Sequence, residues 1–424
     1  MILHLPDLAI VMLIVTMGTT LGAGFLDPLA QPFVIDGLPQ CTSWSGPPRL
    51  VTSPTFSQDN TLFAWAGIPA GYDFTHPYFK STDGGLSWAE TLEGPFTRLQ
   101  DLVLSSNYFN DQTLYLAPGD TLVRSTDGGQ TWTSVSLPPS EGTASLALAD
   151  SNALFLALGG GPPYWYSQQG LFYSGSGGGS WQRIYVGGVR DVALSPNYSQ
   201  DHTVLIGIAG YHWNGGILKS TDSGHTWQPS REGLEWGSDG VTRDITFSSG
   251  YAEDHTVFCL SWEALYKSTD AGAHWVRLAK ELVDYPDPLP FGSIWQFVVS
   301  PRYATDQTLW LWGDHEGRLI STDGGANWRW MPYPVKPIAA GEYCVAGGSC
   351  GVELFGYYWD GSNNYVYKSF DGGMTWHCLE ADVTPAPAEI PEPTTLLLTA
   401  SGLAGLAGYV WQRLHGGRGE RLHR

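Results

Sequence analysis

Apolar positions follow two patterns along the chain. Near each end they form one long run: Leu8 to Leu21 reads LAIVMLIVTMGTTL, and residues 394–411 read TTLLLTASGLAGLAGYVW. Between these runs they come in short groups, such as Thr308-Leu309-Trp310-Leu311-Trp312, punctuated by Gly, Asp, Ser and Pro. Short apolar and aromatic groups bounded by turn residues predict strands.

The punctuation is periodic. Ser-x-Asp-x-Gly-x-x-Trp places Asp83, Asp127, Asp222, Asp270, Asp323 and Asp371 ahead of Trp88, Trp132, Trp227, Trp275, Trp328 and Trp376. A seventh copy, Ser174 to Trp181, carries Ser176 in place of Asp. Successive tryptophans lie 44, 49, 46, 48, 53 and 48 residues apart, room for four short strands and their turns. A second string keeps step: SPTFSQDNTL from Ser53, SSNYFNDQTL from Ser105, SPNYSQDHTV from Ser195, SSGYAEDHTV from Ser248 and SPRYATDQTL from Ser300. The third and seventh units lack it, with ALADSNALFLAL as a remnant in the third.

Each unit then predicts one strand before the second string, one after it, and a third ending in the serine of the first string. Asp and Gly make the next turn: the carboxylate accepts turn N–H groups and Gly supplies positive φ. The Trp opens the fourth strand and packs between neighbouring sheets. Seven four-stranded sheets in series predict an all-β fold, a single seven-bladed β-propeller over residues 41–380. The six aspartates read as structural. They are spread around a ring rather than gathered as an oxygen cage, so no metal is expected there.

Composition agrees. The 424 residues include 53 Gly, 19 Trp and 21 Tyr but only 15% charged residues, which disfavours long exposed helices. The formal charge is −20, and residues 31–390 hold 17 basic against 37 acidic side chains. Such a body repels phosphate backbones and anionic lipid, so no nucleic-acid partner is expected. HExxH, paired CxxC and phosphate-loop motifs are all missing, and no cofactor is expected. His202 and His255 occupy a variable slot in the second string and read as solvated turn residues.

The ends read as addresses. Residues 1–30 read as a signal peptide, because the run Leu8 to Leu21 has the length of a signal-peptide apolar region, with an uncleaved anchor as the alternative. Residues 381–393 form a Pro-rich linker, unsuited to sheet or helix interiors. As a helix, residues 394–411 would reach about 27 Å, near the thickness of a bilayer core. Arg413, Arg418, Arg421 and Arg424 follow within residues 394–424 and would hold that end in the cytoplasm.

Two resemblances follow from these residues. Pro391-Glu392-Pro393, the apolar run and the arginines from Arg413 onward resemble a PEP-CTERM sorting signal. That implies an exosortase-like processing partner, transient anchoring in the inner membrane of a Gram-negative-type bacterium, and export to the cell surface or matrix. The eight-residue turn string resembles the BNR or Asp-box repeat of sialidases, xyloglucanases, sortilin-type receptors and photosystem II assembly factors. That implies the propeller fold and boxes lying away from ligands.

Five cysteines in an exported chain allow two bridges. Cys344 and Cys350 flank VAGGS and can close a small loop; Cys41 and Cys378 lie at the two ends of the propeller and can lock the ring. Cys259, in an apolar strand, reads as a buried free thiol.

Candidate chemistry is sparse. Asp101, Asp191 and Asp244 each stand four residues before the Ser of the second string, and Gln296 and Arg49 hold the same slot in two other units. Repetition favours a structural role, capping the turn into the innermost strand; the functional alternative is a set of polar groups at the channel mouth with a general acid among them. A sialidase would need three central arginines. Arg49 in PPRLVTSP sits where those enzymes keep one, and the resemblance supplies no others. On the face opposite the boxes, loop aromatics are candidates for stacking on sugar rings: Tyr164, Trp165 and Tyr166; Tyr211 and Trp213; Tyr357, Tyr358 and Trp359. Tyr72, Phe74 and Tyr78 belong to the same set, and packing between blades is the other role open to all of them. The expectation is a monomeric, non-enzymatic surface module that binds polysaccharide or a surface protein. A sialidase- or xyloglucanase-like hydrolase and an assembly factor of the photosystem II type are the alternatives.

Overall fold

The computed structural model describes residues 43–378 apart from 45–47, 67–77, 93–98, 119–120, 139–144, 159–169, 209–214, 235–241, 262–263, 280–293, 314–316, 346–347 and 361–363. The N-terminal run, Cys41, the linker, the Pro391–Pro393 motif and the C-terminal run with Arg413 lie outside the described residues.

Six units fold as expected into antiparallel four-stranded sheets with strands in sequence order, and the seventh sheet has a fifth strand from the start of the chain. The second blade is typical: Leu99–Leu104 innermost, then Leu114–Pro118, Leu122–Ser125 and Thr133–Val135. The chain is a seven-bladed β-propeller. Closure is double. In the seventh blade the outer partner of Asn364–Ser369 is shared by Ser43–Trp44 from the start of the chain and His377–Cys378 from its end.

Apolar side chains fill the seams. Phe63 and Trp65 of blade one pack with Leu102 and Leu114 of blade two, and Leu205 and Ile217 of blade four pack with Ile245 and Val257 of blade five. In six units the box tryptophan joins the seam behind its own blade: Trp132 between blades one and two, Trp181 between two and three, Trp227 between three and four. Trp275, Trp328 and Trp88 continue the pattern.

The boxes form the turn the sequence implies. In the sixth blade Ser321 Oγ donates to Asp323 Oδ1 (2.8 Å), Gly325 N–H donates to Ser321 Oγ (2.8 Å), and Asn327 N–H donates to Asp323 Oδ1 (2.8 Å). Gly325 has φ +92°, and a Cβ there would meet Leu278 Cδ1 at 2.6 Å, so only glycine fits. In the third blade Ser180 N–H donates to Ser176 Oγ (3.0 Å), so the serine makes part of the same turn.

The second string holds one helical turn that the strand pattern did not predict, at Phe56–Asp59, Tyr108–Asp111, Tyr198–Asp201, Tyr251–Asp254 and Tyr303–Asp306. Its Asp closes the loop from inside: in blade two Ser105 Oγ donates to Asp111 Oδ2 (2.7 Å) and Thr113 N–H to Asp111 Oδ1 (2.9 Å). Left-handed Asn60, Gln112, His202, His255 and Gln307 end each turn, so the two histidines are exposed caps.

In place of the string, blade seven extends its first two strands into a long hairpin, Lys336–Cys344 and Cys350–Trp359. The Cys344–Cys350 disulfide clamps its tip (Cα–Cα 4.1 Å), as expected. Cys259 is a buried free thiol, also as expected. Cys378 is disulfide-bonded; its expected partner Cys41 is outside the described residues.

Candidate functional site

The innermost strands of neighbouring blades pack side by side around the axis. Just before the slot residue, a β-bulge interrupts four of these strands: at Leu99/Asp101, Val189/Asp191, Thr242/Asp244 and Ile294/Gln296. A bulge re-aims the side chains beside it. Here three of the four slot residues reach across a seam.

Asp101 Oδ2 accepts from Leu146 N–H of blade three (2.8 Å). Asp191 joins three blades: Oδ1 accepts from Ser145 Oγ of blade three (2.9 Å) and Oδ2 from Ile245 N–H of blade five (2.6 Å). Gln296 Nε2 donates to Ile338 O of blade seven (3.2 Å). Asp244 Oδ1 accepts from Thr246 Oγ1 (3.2 Å) within its own strand. Beside it Arg243 donates to Ile294 O (3.0 Å) and Trp295 O (3.2 Å) of blade six, its guanidinium 5.6 Å from the Trp295 ring centre. Asp191 thus accepts from neighbouring blades rather than from the turn into its own strand, while Asp101 accepts both from Leu146 across the seam and from Leu102 of its own strand.

These three carboxylates are partly accessible, yet protein crowds them. Burial raises Asp101 to about 6, against hydrogen bonds from Leu146 and Leu102 and the charge of Arg49. Burial, then the charge of Asp244, raises Asp191 to about 7. Asp244 is also raised, mainly by burial, with Arg243 and Arg49 opposing. Arg49 is exposed and within electrostatic reach of Asp101 and Asp244. A hydrolytic pair requires carboxylates free to meet a sugar from both sides of a cleft. Asp191 engages both its oxygens with neighbouring blades, as a cross-seam strut does.

The opposite-face aromatics separate. Tyr164, Trp165, Tyr166, Tyr211, Trp213, Tyr72 and Phe74 lie outside the described residues. Tyr78 is 2% exposed and packs on Trp65 (centroids 6.1 Å). Tyr357, Tyr358 and Trp359 end a strand rather than sit in a loop. Tyr357 is 8% exposed and packs edge-on to Trp312 at the seam of blades six and seven (6.3 Å), with Lys336 5.6 Å from its ring centre. Tyr358 is half-buried and Trp359 is 54% exposed. Sequence reasoning missed Trp295, 41% exposed on an innermost strand, because its apolar neighbours hide the bulge. Among the described residues, the one cluster of potential metal ligands is Glu342 with Cys344 and Cys350, whose sulfurs are joined in the disulfide.

No family model matches the chain. The photosystem II assembly lipoprotein Ycf48 of Synechococcus sp. (strain CC9902) is 25% identical over 260 residues, 60% of this chain and 68% of that protein. Among solved structures, an ancestral GH74 enzyme aligns with TM-score 0.52 and 18% identity over 80% of this chain. The match covers 55% of the enzyme, so this chain spans about half its length. Ycf48 from Cyanidioschyzon merolae aligns with TM-score 0.50 and 14% identity, over 78% of this chain and 98% of that one. At these identities the structural likeness shows the fold alone.

Proposed function

We propose that this is an exported, non-enzymatic binding propeller that presents the face opposite its Asp boxes to extracellular polysaccharide. The observation that carries the non-enzymatic reading is Asp191, whose two oxygens are held by Ser145 and Ile245 of different blades. Disulfide-bonded cysteines support an oxidising compartment. In this reading residues 1–30 direct export, and an exosortase-like enzyme processes the tail after residues 394–411 have entered the inner membrane. Exposed Trp359 offers a flat apolar face for sugar C–H groups, and in this reading Trp165 and Trp213 are its expected companions. Affinity electrophoresis on native exopolysaccharide tests it. The wild type should be retarded, and Trp165→Ala combined with Trp213→Ala should lose most of the retardation while keeping the fold. Reducing-sugar release that vanishes in Asp191→Asn would instead establish a glycoside hydrolase.

The likeness to Ycf48 favours a second reading, an assembly factor whose client is a protein. Under it, the wild type passes through polysaccharide gels unretarded and co-purifies with a membrane-protein client.

A further inference from the structure

A basic residue precedes the box serine at Lys80, Arg124, Lys219, Lys267 and Lys368. Each of these bases reaches a backbone carbonyl of the next blade. Lys80 Nζ donates to Gly128 O (2.8 Å), Arg124 to Ser151 O (3.0 Å), Lys219 to Ala271 O (2.7 Å) and Lys267 to Gly324 O (3.2 Å). The first, third and fourth of these cations feel the charge of two aspartates, one from the helical turn of their own blade and one from the next box. The pairs are Asp59 and Asp127 for Lys80, Asp201 and Asp270 for Lys219, and Asp254 and Asp323 for Lys267.

Lys368 makes the same reach at the closing seam, from blade seven to Gly84 O of blade one (3.3 Å). Its blade has no helical turn, so the first of the two aspartates is missing. Glu353 stands in for it. Leu354 pairs with Ser369 as Leu62 pairs with Ser81 and Leu114 with Ser125, so Glu353 occupies the place of Thr61 and Thr113. Its Oε1 lies 3.4 Å from Lys368 Nζ, with Glu353 5% and Lys368 3% exposed.

We propose that Glu353 and Lys368 form a proton-sensitive latch at the seam that closes the ring. The groups facing the pair are few. Tyr343 comes from the same hairpin, and the Phe370 ring centre lies 5.5 Å from Lys368 Nζ. His377 stands opposite Lys368 on the terminal strand, and Gly84 follows Asp83 in the first box. Burial raises Glu353 from the ordinary 4.5 to about 6, with Lys368 opposing. A raised carboxyl binds its proton more tightly in the folded ring than in the unfolded chain. Its contribution is therefore whole below about pH 4.5 and is lost as pH climbs through 6. The latch is firmer in mild acid than in neutral medium, so the seventh-to-first seam loosens as pH rises through 6.

Hydrogen exchange of the full chain tests this, each rate divided by its intrinsic value. Between about pH 5 and 7.5, exchange in Asn364–Ser369 should quicken roughly tenfold relative to Arg318–Ser321 of blade six, whose innermost strand carries the uncharged Gln296 in the slot of the channel carboxylates. In Glu353→Gln the ratio should stay flat. Glu353→Thr, which restores the residue of the other repeats, gives the same reading if the glutamine variant does not fold. A ratio independent of pH in the wild type, or one that changes equally in wild type and variant, overturns the latch.

Discussion

Two sets of aspartates occupy the two ends of the blades, and the protein treats them oppositely. The box aspartates cap turns on one face. Asp127 is held at about 2 by the Thr131 hydroxyl and backbone N–H, and Asp222 at about 2 by the same two groups of Thr226. The channel aspartates start innermost strands near the other face and are raised, Asp101 to about 6 and Asp191 to about 7, chiefly by burial. Each box carboxylate satisfies donors of its own turn. Asp101 and Asp191 satisfy donors of neighbouring blades, and do so in crowded surroundings that disfavour charge. One residue type thus stabilises a local turn at one end and ties separate sheets together at the other.

The largest effect should come from cutting the strut that joins three blades. Asp191→Leu removes both acceptors and leaves Ile245 N–H and Ser145 Oγ without them inside the ring, at a cost of about 2–4 kcal/mol. Asp191→Asn keeps an acceptor and drops the charge, so it should lose far less and should gain on the wild type at pH 8. Chemical denaturation at two pH values checks this. Equal losses for both variants would mean that the strut works by filling space and not by accepting hydrogen bonds.

The next prediction sets the two aspartate sets against each other by pH. The box carboxyls lie below their ordinary value, so their contribution is present above about pH 4 and fades as pH falls toward 2. The channel carboxyls and Glu353 lie above theirs, so their contribution is whole only below about pH 4 and is lost as pH rises through 6 and 7. Melting temperature should therefore peak between roughly pH 4 and 6, then fall by a few degrees toward pH 8. A plateau from pH 6 to 8 would show that water or Arg49 screens the channel charges.

The same contrast explains what one sequence made legible. A box is complete within eight residues, and its partners sit two to four positions apart, as in Ser125 with Asp127 and Asp127 with Thr131. Such contacts repeat visibly, and with them came the blade count, the turn geometry and the seam position of six box tryptophans. The struts span 45 residues from Asp101 to Leu146 and 54 from Asp191 to Ile245. The shared offset of Asp101, Asp191 and Asp244 pointed to a structural role, but direction across a seam depends on a bulge that no local pattern encodes. The basic residue before the box serine was equally visible, and its role needs the next blade's carbonyl. Tyr357 was misplaced among the loop aromatics because blade seven lost its second string, and with it the landmark that dates each strand.

The smallest effect should come from a box aspartate, and its size is what sharpens the contrast. Asp323 accepts from Ser321 Oγ, Asn327 N–H and Asn327 Nδ2, all in one turn. The Asn327 donors are exposed, so in Asp323→Ala water replaces the lost partners at little cost. Gly325 N–H keeps its bond to Ser321 Oγ, which preserves the turn's inner half. The loss should be about 1 kcal/mol by chemical denaturation. Because Asp323 lies below its ordinary value, held there by the Asn327 backbone and side chain, the deficit should shrink as pH falls below that value. The decline from pH 6 to 8 should be untouched, since it belongs to carboxyls at the other end of the blades. A variant that flattened that decline would couple the two ends of the blade, and the division between local caps and cross-blade struts would not hold.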